Sequence, residues 1–327
     1  MATAPLAPEP APVPAPLPRP ALILTNRVYE GWVPLRDWAS DLGLGSPTVR
    51  MVGTNAVATL VFPDGPLSLT LGRQQASWQG REFWLAYAPH LQRGRGCIHA
   101  LDIEKTLMPL LTDQGEPLIG NRVVVLDPGH GGRNPGAQNV ATGRWEKEYA
   151  LDWAQRLAPL LTRQGWTVIL TRTNDTDVPL AARVALADAH QAGLFLSLHF
   201  NHAARNPAES GIETYCVTPP GLPSSVVRGP PEDVSEVLPS NAFDDRNLRL
   251  ALRLQHALVQ RTKAIDRGVR RTRFMGVLRG QMRPAALIEG GYLSHPREAR
   301  AIASPAVRQA LALAVAEALS EGVGPTF

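Results

Sequence analysis

The 327-residue sequence predicts an α/β protein, with a mostly parallel central sheet flanked by helices, preceded by a smaller β-rich α+β domain. Three observations predict it. Apolar runs stand at 123–126, 166–170, 194–198 and 285–288, and continuous runs of this kind read as strands buried on both faces. Helix-periodic stretches lie between several of them, the pattern of a parallel sheet. The amino-terminal third instead carries short strand-like pieces separated by turn residues. The chain is long enough for two cores, and 44% apolar with 19% charged residues is ordinary for a globular protein. No apolar run approaches the ~20 residues of a membrane helix, so no transmembrane segment is expected. A net charge of +4 and a pI near 9.4 favour anionic partners such as wall polymers or nucleic acid. No Lys/Arg-rich run stands out, and nucleic acid is not an expected partner.

Residues 1–20 are mostly Ala and Pro and read as a disordered or polyproline-like linker, with no visible secretory signal. Residues 21–115 form the small β-rich domain. Strands are expected at 22–24, 29–35, 49–51, 56–62 and 67–71, a short helix at 36–42 ends at Gly43, and Asp64-Gly65 marks a hairpin. A further strand pattern begins at Glu82. His90 and His99 lack spaced ligand partners. Trp32, Trp38, Trp78 and Trp84 are candidates for a carbohydrate-stacking face, although such residues are more often core.

The second domain, 118–327, opens with the stretch around which the chain is organised. A strand at 123–126 runs into Asp127-Pro128-Gly129-His130-Gly131-Gly132, placing a histidine on a glycine-rich loop at a strand's carboxyl end, where α/β proteins put their ligands. A helix follows with Glu146 at its start and Pro159 late in its pattern, where a kink is expected. Next come a strand at 166–170, a helix after Pro179, and a strand at 194–198 that ends in His199. In a parallel sheet the carboxyl ends share one edge, so His130 and His199 should meet. A strand at 211–217, a Pro-, Ser- and acid-rich inserted loop at 218–245, a helix at 247–263 and a turn at 266–270 come next. Strands at 274–279 and 285–288 then follow, the last ending in Glu289, and a terminal helix at 306–319 closes the chain. Cys97 and Cys216 allow one disulfide that spacing alone cannot assign.

Together the segments Asp127–Gly132, Glu146-Lys147, Ser197-Leu198-His199-Phe200-Asn201, Asp266-Arg267-Gly268-Val269 and Ile288-Glu289-Gly290-Gly291 resemble the zinc-dependent N-acetylmuramoyl-L-alanine amidases of the amidase-3 type. Val33-Pro34-Leu35-Arg36-Asp37 and Leu42-Gly43-Leu44 resemble the copper amine oxidase N-terminal-like domain, without implying copper. The amidase resemblance implies one zinc ion held by His130, Glu146 and His199, with Glu289 as general base and acid. The implied substrate is the amide between N-acetylmuramic acid and L-alanine in peptidoglycan, hence a periplasmic or secreted location. Two imidazoles and one carboxylate leave zinc an open position, as catalytic sites require, and a bound water becomes acidic enough to attack at neutral pH. Asn201 and Arg279 are the candidate substrate contacts, Arg279 because a guanidinium suits a stem-peptide carboxylate. Regulatory or wall-binding contact is expected through the 21–115 domain or the 218–245 loop. A stem-peptide carboxypeptidase would give different products, and a catalytically dead wall-binding protein would be expected to have lost one of these four residues.

Overall fold

A computed structural model describes residues 27–112 and 118–320; the expected 1–20 linker and 22–24 strand lie outside the described residues. The β-rich segment contains β1 (Trp32–Pro34), α1 (Leu35–Asp41), β2 (Thr48–Val52), β3 (Asn55–Phe62), β4 (Gly65–Thr70), β5 (Gln75–Trp78), β6 (Arg81–Trp84), β7 (His90–Gln92) and β8 (Arg95–His99). A helical stretch then runs through α2 (Ala100–Asp102), a π turn (Ile103–Leu107) and α3 (Met108–Leu111). Trp38, Leu60, Leu67, Leu69 and Phe83 fill its interior.

The second segment runs β9 (Val123–Pro128), α4 (Glu146–Arg163), β10 (Thr167–Leu170), α5 (Leu180–Ala189), β11 (Leu194–Asn201), β12 (Ile212–Val217), a 3₁₀ turn (Pro239–Phe243), α6 (Asp244–Thr262), β13 (Asp266–Thr272), α7 (Gly276–Arg279), β14 (Ala285–Tyr292), α8 (Pro296–Ala303) and α9 (Pro305–Ser320). Strands β10, β9, β11 and β14 are parallel neighbours, and β12 pairs antiparallel with β14. One face carries a core with residues from α4, α6, α8 and α9; the other lies beneath α5 and α7. Pro159 sits inside α4 without ending it, and the helix continues to Arg163.

Two expectations are corrected. Residues 266–270 are not a turn but belong to β13, whose sequence, Asp-Arg-Gly-Val-Arg-Arg-Thr, hides a strand because its arginines find buried partners. The expected strand at 274–279 is mostly the short helix α7, an apolar run too brief for periodicity to separate the two states. The two segments share a sheet. Among the described residues a single eleven-stranded sheet runs β10-β9-β11-β14-β12-β13-β6-β5-β4-β3-β2, with β6 joined to β13 in parallel at Val269 and Phe83. Leu248, Ala251 and Leu252 of α6 pack into the core of the β-rich segment. The core of the β-rich segment thus draws residues from across the boundary near residue 116. Cys97 and Cys216 are both buried and free.

Candidate metal centre and active site

Strand β9 ends at Pro128, and three successive backbone carbonyls must then leave the sheet ladder. Buried carbonyls need donors, and two arginines supply them. Arg172 donates to Pro128 O (3.0 Å) and Gly129 O (2.7 Å), while Arg183 of α5 donates to Pro128 O (3.2 Å) and His130 O (2.9 Å). Arg183 also pairs with buried Asp127, whose carboxylate accepts from Ser197 Oγ (2.7 Å) and Thr171 Oγ1 (2.6 Å). The loop held this way puts His130 at φ 61°, a left-handed conformation uncommon for a side-chain-bearing residue and frequent at functional sites.

Glycines let the neighbours close in. A Cβ on Gly129 would lie 2.2 Å from His199 Cε1, so the backbone there lies directly against the imidazole. At Gly136 it would lie 2.6 Å from Glu146 Oε2 and 2.7 Å from His130 Cδ2. Glu146 opens α4, where its carboxylate complements the helix dipole. Ala137 N (3.0 Å) donates to its Oε2 and Phe200 N (3.0 Å) to its Oε1.

The structure brings three of the sequence-derived site residues together. His130 Nε2 lies 3.0 Å from Glu146 Oε2, and His199 Nδ1 lies 2.9 Å from Glu146 Oε1. One donor atom from each residue lies within 4.8 Å of the others. Burial pushes the Glu146 carboxyl up, but the hydrogen bonds and charges of the two imidazoles outweigh it and hold the group below the ordinary carboxylate range. Burial lowers His130, yet hydrogen bonding to Glu146 and Asn134 leaves it raised overall. Two imidazoles and a carboxylate converging with one face open fit a catalytic divalent-metal site.

Glu289 stands beside them, in register with His199 across β11 and β14. Its Oε2 is buried with no hydrogen-bond partner among the described residues. Burial first, and then the charges of Glu146 and Glu213, push its carboxyl well above the usual range, with Arg228 opposing. It is not an ion-pair partner of Arg279 or Arg283, which bind Glu236 and Asp188 instead. Arg279, on α7, is committed to Glu236 of the 218–245 segment at 2.6 Å, and Asn201 is buried, its amide donating to Glu213 and its Oδ1 accepting from His202 N. His295 accepts from Glu298 N as the cap of α8.

Sequence reading missed Arg172, Arg183 and Glu213. Glu213 lies opposite Glu289 on β12, buried among Arg267 (3.3 Å), Arg270 (2.9 Å) and the Tyr292 hydroxyl (3.0 Å). The available signal was three carbonyls after a buried strand with no donor in sight.

Residues 124–321 match the family model described as N-acetylmuramoyl-L-alanine amidase. The chain belongs to this amidase-3 family. It is 31% identical over 219 residues to the N-acetylmuramoyl-L-alanine amidase AmiA of Escherichia coli, covering 61% of this chain and 75% of AmiA. The catalytic domain of the amidase CwlV from Bacillus (Paenibacillus) polymyxa superposes with a TM-score of 0.51 at 27% identity, over 62% of this chain and 97% of that one. An N-acetylmuramoyl-L-alanine amidase from Clostridium difficile 630 gives 0.50 at 30% identity, over 60% and 94%. The matched segment of the family model leaves the β-rich residues 27–112 outside it.

Proposed function

We propose that the protein is a zinc-dependent peptidoglycan amidase of the cell envelope that cleaves the bond between N-acetylmuramic acid and the L-alanine of the stem peptide. The observation that carries this reading is the convergence of His130, Glu146 and His199 beside a buried carboxylate, Glu289, whose Oε2 has no partner. His130, Glu146 and His199 would hold the ion, which when bound supplies Lewis acidity toward a water and the scissile carbonyl. Glu289 takes the proton from the attacking water and delivers it to the leaving amide nitrogen. Its raised proton affinity suits the second half of that task, since a carboxyl that stays protonated can donate. Asp127, Arg172 and Arg183 fix the loop that aims His130. The 218–245 segment frames the same side of the sheet as Glu289. Buried Arg273 pins it by donating to Leu222 O (2.9 Å), Pro219 O (2.6 Å) and Val234 O (3.2 Å). Wall contact through this segment or the β-rich segment belongs to the same reading.

Digestion of purified peptidoglycan with and without a chelator, followed by mass analysis, tests the proposal. Intact glycan strands and whole stem peptides are expected, with cleavage abolished by chelation and restored by zinc. Release of a terminal amino acid alone would replace the amidase with a carboxypeptidase.

A further inference from the structure

Strands β11, β14, β12, β13 and β6 are neighbours in that order, leading from the candidate metal centre into the β-rich segment. His199 is in register with Glu289, and Glu289 with Glu213. Directly opposed residues on antiparallel strands have Cβ atoms about 5 Å apart, where two carboxylates repel. Glu213 is buried, with a side chain 3% exposed. Arg270 Nε lies 2.9 Å from its Oε2 and Arg267 Nε 3.3 Å from the same oxygen. Tyr292 and Asn201 occupy Oε1. Arg267 donates to Oε2, Arg270 adds an ion-pair contact to the same oxygen, and two donors hold Oε1, so both carboxylate oxygens are engaged.

The two arginines are themselves placed by one residue of the β-rich segment. Trp84, the last residue of β6, presents its ring face to the Arg270 guanidinium, whose Cζ is 4.1 Å from the ring centroid. The indole Nε1 donates to Arg267 O at 2.9 Å. A guanidinium on an aromatic face is an attractive contact with a defined plane, so the indole sets the plane in which Arg270 meets Glu213.

We propose that Trp84 is a positioning residue for the amidase centre: through Arg270 it holds the Glu213 carboxylate turned away from Glu289, which leaves Glu289 free to face the metal and the substrate. The proposal rests on the amidase reading, and it gives the β-rich segment a part in turnover although none of its residues reaches the reacting atoms. Without the indole face, Arg270 gains rotational freedom and Glu213 loses one of its two cations. The opposed carboxylates then disturb each other, and the step that needs Glu289 slows while substrate binding is untouched.

The experiment compares Trp84→Phe with Trp84→Leu in the full chain. Phe keeps an aromatic face for Arg270; Leu fills space without one. For Trp84→Leu we expect kcat to fall about tenfold, with KM within about twofold and zinc content unchanged; Trp84→Phe should stay within about threefold of wild type. A structural filler role would make Phe and Leu equivalent, and that result overturns the proposal, as does a wild-type kcat for Trp84→Leu or a loss of its zinc. If Trp84→Leu fails to fold, Arg270→Lys decides, since it keeps the charge but not the planar stack. A tenfold lower kcat with zinc retained supports the proposal, and an unchanged kcat overturns it. The zinc-loaded wild type run alongside separates the two ideas: failure to cleave the muramoyl–alanine amide would overturn the amidase reading itself.

Discussion

Glu289 is the last polar position of an otherwise apolar, fully buried strand, and a carboxylate there is costly unless something compensates. Among the described residues no cation pairs with it directly; Arg279 and Arg283 are committed elsewhere. Glu289→Gln should keep zinc and melting temperature near wild type and lose on the order of 10²–10⁴ in hydrolysis rate, the range of a general base and acid. Zinc content, thermal melting and turnover on one preparation check it, and near wild-type turnover would remove Glu289 from the mechanism. Gly129 is decided at the same scale. Any Cβ there meets the His199 ring, so Gly129→Ala should displace the imidazole and lower zinc occupancy in a chain that still folds. Metal analysis after gel filtration reads this out, and full occupancy would show that the loop can yield.

The loop after β9 and helix α5 act as one element because Arg183 joins them through Asp127. Both partners are buried, and removing one member of such a pair leaves the other charge uncompensated. Asp127→Ala should therefore cost about 3–5 kcal/mol in chemical denaturation. The inserted segment 218–245 is tied down by Arg273 and by Glu232, which accepts from Ser224 N and Oγ, both at 2.6 Å. Arg228 leaves that frame: its guanidinium lies over Phe274, 5.1 Å from the ring centroid, on the side where its charge reaches Glu289. Arg228→Ala should raise KM for peptidoglycan several-fold with little change in kcat, which steady-state kinetics at two ionic strengths will check. An unchanged KM would leave the segment a passive border of the cleft.

At the scale of the molecule the consequence lies in the seam between β6 and β13. Burial, reinforced by nearby Asp266, raises the Glu82 carboxyl from 4.5 to about 7. Its folded-state value exceeds its unfolded one, so the native state holds the extra proton. That contribution to stability is complete below about pH 4.5 and is lost as pH rises through 7. Melting temperature should therefore carry a downward component between pH 5 and 8 that Glu82→Gln removes. A variant with the wild-type slope would place the pH dependence elsewhere. The seam also ties the amino-terminal segment to the rest of the sheet. A chain beginning at Leu118 would expose the β13 edge and the α6 residues Leu248, Ala251 and Leu252, and an uncovered strand edge with apolar neighbours favours association.

The sequence by itself determined the strands that carry His130, His199 and Glu289, the residues that the fold brings around Glu146. Buried parallel strands are written as unbroken apolar runs, so β9, β11 and β14 were legible, and a polar residue ending such a run is conspicuous: His199, Glu289 and, one glycine loop later, His130. Strand β13 was not legible, because its arginines look like solvent-facing residues until Glu213 and Thr106 are brought to them. Asn201 and Arg279 were read as substrate contacts from residue type alone, and only packing shows which partner a polar side chain meets first. The joining of β6 to β13 belongs to the tertiary structure for a related reason. Backbone ladder groups are the same in every residue, so a sequence carries the periodicity that makes a strand but very little of which distant edge that strand will complete.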